Sequence, residues 1–140
     1  MKYSTLFICL VVWCFSACAS SAVSIPEELS PLEIIQRAQE ASDRSRYHIA
    51  LQYYETLLER NPDNLELIPE EKALENKTMH CLARYEIAFI HYKQKKHAQA
   101  KMEFESLLER YTAPDRGTLP PKFKLLSEKV LDRINEKNKK

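Results

Sequence analysis

The chain has 140 residues, of which 21 are basic and 20 acidic, for a formal net charge of +1. That balance gives no electrostatic footprint for nucleic acid or another polyanion, and the single glycine, Gly117, excludes the glycine-rich loops that cradle phosphates. The length allows one small hydrophobic core and lies near the size at which extra support helps.

At the start, Lys2 precedes an apolar run from Leu6 to Phe15, and Ser16-Ala17-Cys18 follows. This order is that of an export signal. The run is too short to cross a bilayer, whose hydrocarbon core of about 30 Å needs roughly 20 helical residues. An ordinary secretory signal would be cut near Ala19 or Ala22, with Cys18 incidental. Phe15-Ser16-Ala17-Cys18 resembles a bacterial lipobox, with Phe15 where leucine is usual, a loosening familiar in spirochaete lipoproteins. The resemblance implies that residues 1–17 are removed as a lipoprotein signal peptide and that Cys18 is diacylated, with palmitate-type chains, as the new N-terminus. Each buried methylene contributes about 0.8 kcal/mol, so two or three chains hold a protein stably on a bilayer where one does not. Ala19 and Ser20 follow the cysteine and no aspartate is there, which points to the outer membrane; the periplasmic face is the expected side for the domain and the cell surface the alternative. Residues 18–30 then read as the lipidated cysteine and a tether, and residues 31–140 as a helical domain.

Cysteine usage agrees with processing. Cys9 and Cys14 would leave with the signal and Cys18 would be acylated, so Cys81 remains without an intrachain disulfide partner. Neighbouring Cys81 and His80 point about 100° apart on a helix, which is poor geometry for a metal pair. Cys81 reads as a buried structural residue; a thiol enzyme would require it to be accessible and reactive.

Ser30-Pro31 supplies an N-cap and a first-turn proline for a helix that carries Leu32, Ile34, Ile35, Ala38 and Ala41 to about Ser42. Asp43 to Ser45 make a turn. A second helix runs from about Arg46 to Arg60 and stops at Asn61-Pro62-Asp63-Asn64, because proline lacks an amide donor and restricts its predecessor. Pro69-Glu70-Glu71 opens a third helix, with apolar positions at Ala73, Leu74, Cys81, Leu82, Tyr85, Ala88, Phe89 and Tyr92. Unbroken to Gln94 it would span roughly 39 Å at 1.5 Å per residue; Asn76 is where it could break. A fourth helix covers about His97 to Tyr111. After Pro114, Gly117 and Pro120-Pro121, a last amphipathic helix presents Phe123, Leu126, Val130, Leu131 and Ile134. Lys137, Lys139 and Lys140 read as its solvated end.

The second and fourth helices share a motif. Glu55-Thr56-Leu57-Leu58-Glu59-Arg60 returns as Glu105-Ser106-Leu107-Leu108-Glu109-Arg110, and the match extends outward to Leu32/Leu82, Ala38/Ala88 and Ala50/Ala100. Eight of the 32 positions in residues 31–62 match residues 81–112, where composition alone gives roughly two. Ala50, Tyr54 and Leu57, like Ala100, Phe104 and Leu107, fall at i, i+4, i+7 and so share one helical face. The small Ala38 and Ala88 let paired helices cross closely.

These features resemble the tetratricopeptide repeat. The motif is fullest in Ile87-Ala88-Phe89-Ile90-His91-Tyr92-Lys93-Gln94 with Ala100, Phe104 and Leu107, and in the first unit in Ala38, Ala50, Tyr54, Leu57 and Pro62. The likeness covers roughly half of the chain. Arg37 takes a usually apolar place, Ala41 and His91 a usual aromatic one, and Thr112 replaces the closing proline. The offset of fifty exceeds the thirty-four of this repeat, leaving about sixteen residues as an insertion. The expected fold is therefore all-α, with about two helix-turn-helix repeats, an extended third helix and a C-terminal capping helix.

Neither a paired-cysteine motif nor a serine–histidine–acid set stands out, and His48, His80, His91 and His97 have no ligand-type partner at i, i+4. The sequence thus gives no sign of an enzyme, a cofactor or a metal. In the repeat family the first helix of each unit lines a concave groove. The resemblance places there Leu82, Tyr85, Phe89, Tyr92 and Lys93 from the second unit, and Leu32, Ile35, Gln39, Ser42 and Asp43 from the first. Tyr85, Phe89 and Tyr92 share a stripe, and rigid aromatics bury large area at low entropic cost. Either they anchor a segment of a partner protein, or another part of the chain folds over them and makes them core. The expected role is a membrane-anchored scaffold or adaptor for an envelope protein. The alternative is a small-ligand or lipid-binding accessory of an envelope transport system, with an apolar pocket between the third helix and its neighbours. The apolar end of two repeats would be covered by the last helix or by a second copy in a homo-oligomer.

Overall fold

A computed structural model describes residues 23–61, 70–113 and 119–137. They form five helices, α1 (Pro31–Asp43), α2 (Tyr47–Arg60), α3 (Glu70–Lys93), α4 (His97–Glu109) and α5 (Pro121–Lys137), with no strand among the described residues. The fold is all-α. The signal segment, Cys18, the cluster from Pro62 to Asn64, Pro69, Pro114, Gly117, Lys139 and Lys140 lie outside the described residues.

The start of α1 is fixed by a capping box. The Ser30 hydroxyl accepts from the Glu33 amide at 3.3 Å, and the Glu33 carboxylate accepts from the Ser30 amide at 2.9 Å. The Ser30 hydroxyl also donates to that carboxylate at 2.6 Å, and this bond first, then the one from the Ser30 amide, holds the Glu33 carboxyl below its ordinary value. Neither α2 nor α4 has a side-chain N-cap bond; their residues Arg46 and Lys96 enter the helix directly from the preceding turn.

Both turns are built alike. After α1, Arg46 N–H donates to Ala41 O at 2.8 Å and Ser45 N–H to Ser42 O at 2.9 Å; after α3, Lys96 N–H donates to His91 O and Lys95 N–H to Tyr92 O, each at 3.0 Å. This is the double bond pattern of a Schellman C-cap, whose hinge residue takes a left-handed backbone. Ser45 and Lys95 occupy that position, with φ of 57° and 63°. Each turn reverses the chain within three residues, making α1 and α2 one helical hairpin and α3 and α4 another. The small residues expected at the crossings, Ala38, Ala50, Ala88 and Ala100, are completely buried, as are Tyr54 and Phe104 beside them.

Helix α3 runs without a break through Asn76, which is buried. Its 24 residues span about 36 Å. Where a helix at the surface would bury one stripe, α3 buries two sides. Ala83 and Ile90 face a cluster with Ile34, Ala38, Tyr53, Tyr54 and Leu57 of the first hairpin. Cys81, Tyr85 and Ala88 face a second cluster with Phe104 and Leu107 of α4 and Phe123, Val130, Leu131 and Ile134 of α5. Leu82 packs against both. α5 lies on α4 and, over a smaller area, on α3, so it closes the second hairpin.

Two further ties stiffen α3. His80 Nε2 bonds to Asn61 O at the end of α2. Farther along, His91 Nδ1 meets the Glu103 carboxylate of α4 at 2.7 Å, and Gln99 donates to the same carboxylate at 3.1 Å.

Candidate partner-binding face

One face of α3 carries the candidate site, because Leu82, Glu86, Phe89 and Lys93 recur at intervals of four, three and four residues and so stack along the helix. Tyr85 and Tyr92 run beside them. The rings form a continuous ladder: Tyr85 stacks on Phe89 with centroids 5.7 Å apart and planes 15° apart, and Phe89 stacks on Tyr92 at 6.0 Å and 19°. Tyr92 then meets the His97 ring at 5.4 Å.

Burial divides the ladder. Tyr85 is 8 % exposed and also contacts Phe104 of α4 at 5.7 Å and Phe123 of α5 at 6.0 Å. Its ring area is taken up by the core, so it braces the ladder rather than offering a surface. Phe89 and Tyr92 are half-buried, with their inner edges on the second cluster. Each also carries an ammonium group over its ring, Lys93 Nζ at 5.0 Å from Phe89 and Lys137 Nζ at 5.4 Å from Tyr92.

The α1 side is aligned with this face. Leu32 and Gln39 are exposed, Ile35 is half-buried, Ser42 is buried and Asp43 is exposed at the C-terminal end. Lys93 Nζ donates to Ser42 Oγ at 3.4 Å, which joins the α3 and α1 stripes. Leu82 lies half-buried in the wall between the clusters. The sequence-derived set is thus brought onto adjoining stretches of two helices, with Tyr85 withdrawn into the core.

Glu86 was absent from that set. Burial pushes its carboxyl above the ordinary value of 4.5, opposed by Lys93, reinforced by Asp43 and opposed again by Lys122. A charge midway between Leu82 and Phe89 on the same stripe was the available signal. Behind it lies Tyr54 of α2, whose hydroxyl is fully buried and has no hydrogen-bond partner among the described residues. Desolvation first, then the charges of Glu86 and Asp43, raise this phenol well above its usual value. The face therefore pairs two half-buried aromatic rings, each with a lysine over it, with a half-buried acid.

Cys81 is fully buried beside Tyr111, whose hydroxyl donates to Pro120 O at 2.7 Å. On the opposite side of α3, Leu58, Arg84, Ile87, Met102, Glu103 and Ser106 line a cavity of about 280 Å³ between α2, α3 and α4. Among the described residues no three His, Cys, Asp or Glu side chains are grouped to hold a metal ion, and no helix is long and apolar enough to cross a membrane.

No protein-family model matches the chain, and no solved structure matches it. It is similar to an uncharacterized protein of Treponema pallidum (strain Nichols), with 32% identity over 127 residues. The match takes in 89% of this chain and 46% of that protein, so the chain spans about half the length of the relative.

Proposed function

We propose that the chain is an acyl-anchored envelope lipoprotein in which a pair of tetratricopeptide-like hairpins acts as a scaffold for another envelope protein. The observation that carries this reading is the Phe89–Tyr92 ladder, half-buried, braced by Tyr85 and flanked by Lys93 beside α1. Rigid aromatic edges held in place before a partner arrives give up little entropy on binding. The repeat assignment is supported by the identical hinge bonds at Ser45 and Lys95 and by the buried alanine pairs. A relative in a spirochaete supports reading Phe15-Ser16-Ala17-Cys18 as a loosened lipobox. Ala19 and Ser20 after the cysteine support placement in the outer membrane, with the domain read as periplasmic.

The test has two arms. Labelled palmitate should enter the wild-type chain and be lost in Cys18→Ser. Crosslinking in intact cells, followed by capture, should recover a partner with the wild type and lose it with Phe89→Ala/Tyr92→Ala, both proteins remaining helical. A partner retained by the folded double variant would overturn the aromatic face as the binding surface.

A second reading, a small-ligand or lipid-binding accessory protein, is favoured by the cavity between α2, α3 and α4. Its volume of about 280 Å³ lies just under the roughly 300 to 1,000 Å³ typical of sites for drug-sized molecules. Lipid or another small molecule copurifying with the domain, and displaced by Met102→Trp, would support it.

A further inference from the structure

Residues 23–29, just ahead of α1, do not hang from the domain. Val23 N–H donates to Gln52 Oε1 of α2 at 2.9 Å. At the C-terminal end of α2, the Arg60 guanidinium donates to the carbonyls of Pro26 at 2.9 Å, Ile25 at 3.1 Å and Glu27 at 3.3 Å. Leu29 N–H closes a turn onto Pro26 O, and the Ser30 capping box follows at once. Val23, Ile25 and Leu29 also pack against the first hydrophobic cluster. Residues 23–29 are therefore a strap bonded along the outer face of α2, the side turned away from the α2 residues that meet α3.

The partner of this clasp depends on local backbone. Arg60 can bond three successive carbonyls because the strap is not helical and leaves them free. Fifty residues on, the corresponding carbonyls belong to the interior of α3 and already accept within the helix. Arg60 thus finds in the strap three free carbonyls of a kind that the corresponding stretch of α3 has already bonded.

We infer that the strap is a fixed mount: it fastens the outer face of α2 toward the bilayer, with α3 one helix layer farther out and α5 farthest from lipid. This rests on the acyl anchor at Cys18 proposed above; its own content is which side of the domain faces the membrane. Five residue steps separate Cys18 from Val23, a reach of at most about 18 Å. Packed helices lie 8–10 Å apart, so each layer beyond α2 adds a comparable distance. Charge does not produce this orientation. Glu27, Glu28, Glu55 and Glu59 are exposed on or beside this face and would be repelled by anionic headgroups. The covalent anchor and the strap hold it there.

The test uses the isotope-labelled acylated chain on phosphatidylcholine bilayers containing a nitroxide-headgroup lipid, read by line broadening of backbone amides. Amides of Glu55 and Glu59 should broaden several-fold more than those of Leu125 and Lys129. Gln52→Ala/Arg60→Ala, still helical, should flatten the contrast, and Gln52→Ala alone should flatten it in part. Equal broadening of α2 and α5 in the parent, or a contrast that survives loss of both clasp residues, would overturn the mount. Mass spectrometry separates this from the anchor itself. If Cys18 carries no acyl group, the lipoprotein reading fails, and the mount is read from the same amides after coupling Cys18 to a maleimide lipid, Cys81 being buried.

Discussion

Ser45 and Lys95, fifty residues apart, hold the same left-handed backbone position and are bracketed by the same pair of hydrogen bonds. A side chain in that region crowds the following carbonyl, at roughly 1–2 kcal/mol per residue. Glycine avoids the crowding but loses more backbone freedom on folding. Ser45→Gly and Lys95→Gly should therefore each stabilise the fold, by about 0.5 to 1 kcal/mol, as an upward shift of the urea midpoint with unchanged slope. A fall in midpoint would mean that the two hinges are not what limits the turns.

The aromatic ladder should separate into core and surface. Tyr85→Ala should cost about 3 to 5 kcal/mol, the range for large buried aromatics. Phe89→Ala and Tyr92→Ala should each cost about 1 to 2 kcal/mol, since only part of each ring is removed from water. Equal losses in denaturant melts would place all three in one environment.

Glu86 should make stability depend on pH. Its folded value is raised above the ordinary 4.5, so the folded state binds its proton more tightly than the unfolded chain does. Stability is then greatest below 4.5 and falls as pH rises through the folded value. Glu86→Gln removes this dependence. Urea melts should show the wild type losing stability relative to Glu86→Gln on going from pH 4.5 to 7, and a difference of the opposite sign would contradict the burial of the carboxylate.

Cys81 offers a test of the interior. It is fully buried in the second cluster, so a thiol reagent should modify it only through opening of the fold. In the Cys18→Ser chain with its signal removed, modification should be slow in buffer and rapid in denaturant. Fast reaction in buffer would revive a thiol-based chemistry.

Local pattern gave the helices away, and long-range packing did not. The i, i+4, i+7 spacing of Ala50, Tyr54 and Leu57 found their shared buried face, and Ser30-Pro31 found the start of α1. Helix α3 was harder to delimit because Asn76 is a weak helix former, yet it lies buried within the helix, where tertiary contacts override propensity. Tyr85 and Phe89 look alike in sequence. Phe123, supplied by a helix nearly forty residues later, makes the first of them core. In sequence the strap reads only as part of a tether, because the bonds of Arg60 use main-chain carbonyls, which carry no side-chain signature.

Because α3 gives one flank to each cluster and Leu82 serves both, the first hairpin does not own a complete interior, whereas the second cluster is closed by α3, α4 and α5 alone. Divided between residues 61 and 70, the chain would leave Ile34, Tyr54 and Leu57 on one piece and Ala83 and Ile90 on the other, each an uncovered half of the same contact. The first piece should be insoluble or unfolded alone, whereas the second keeps its own cluster with α5 and bares the α3 flank on which the first piece would refold when the two are mixed.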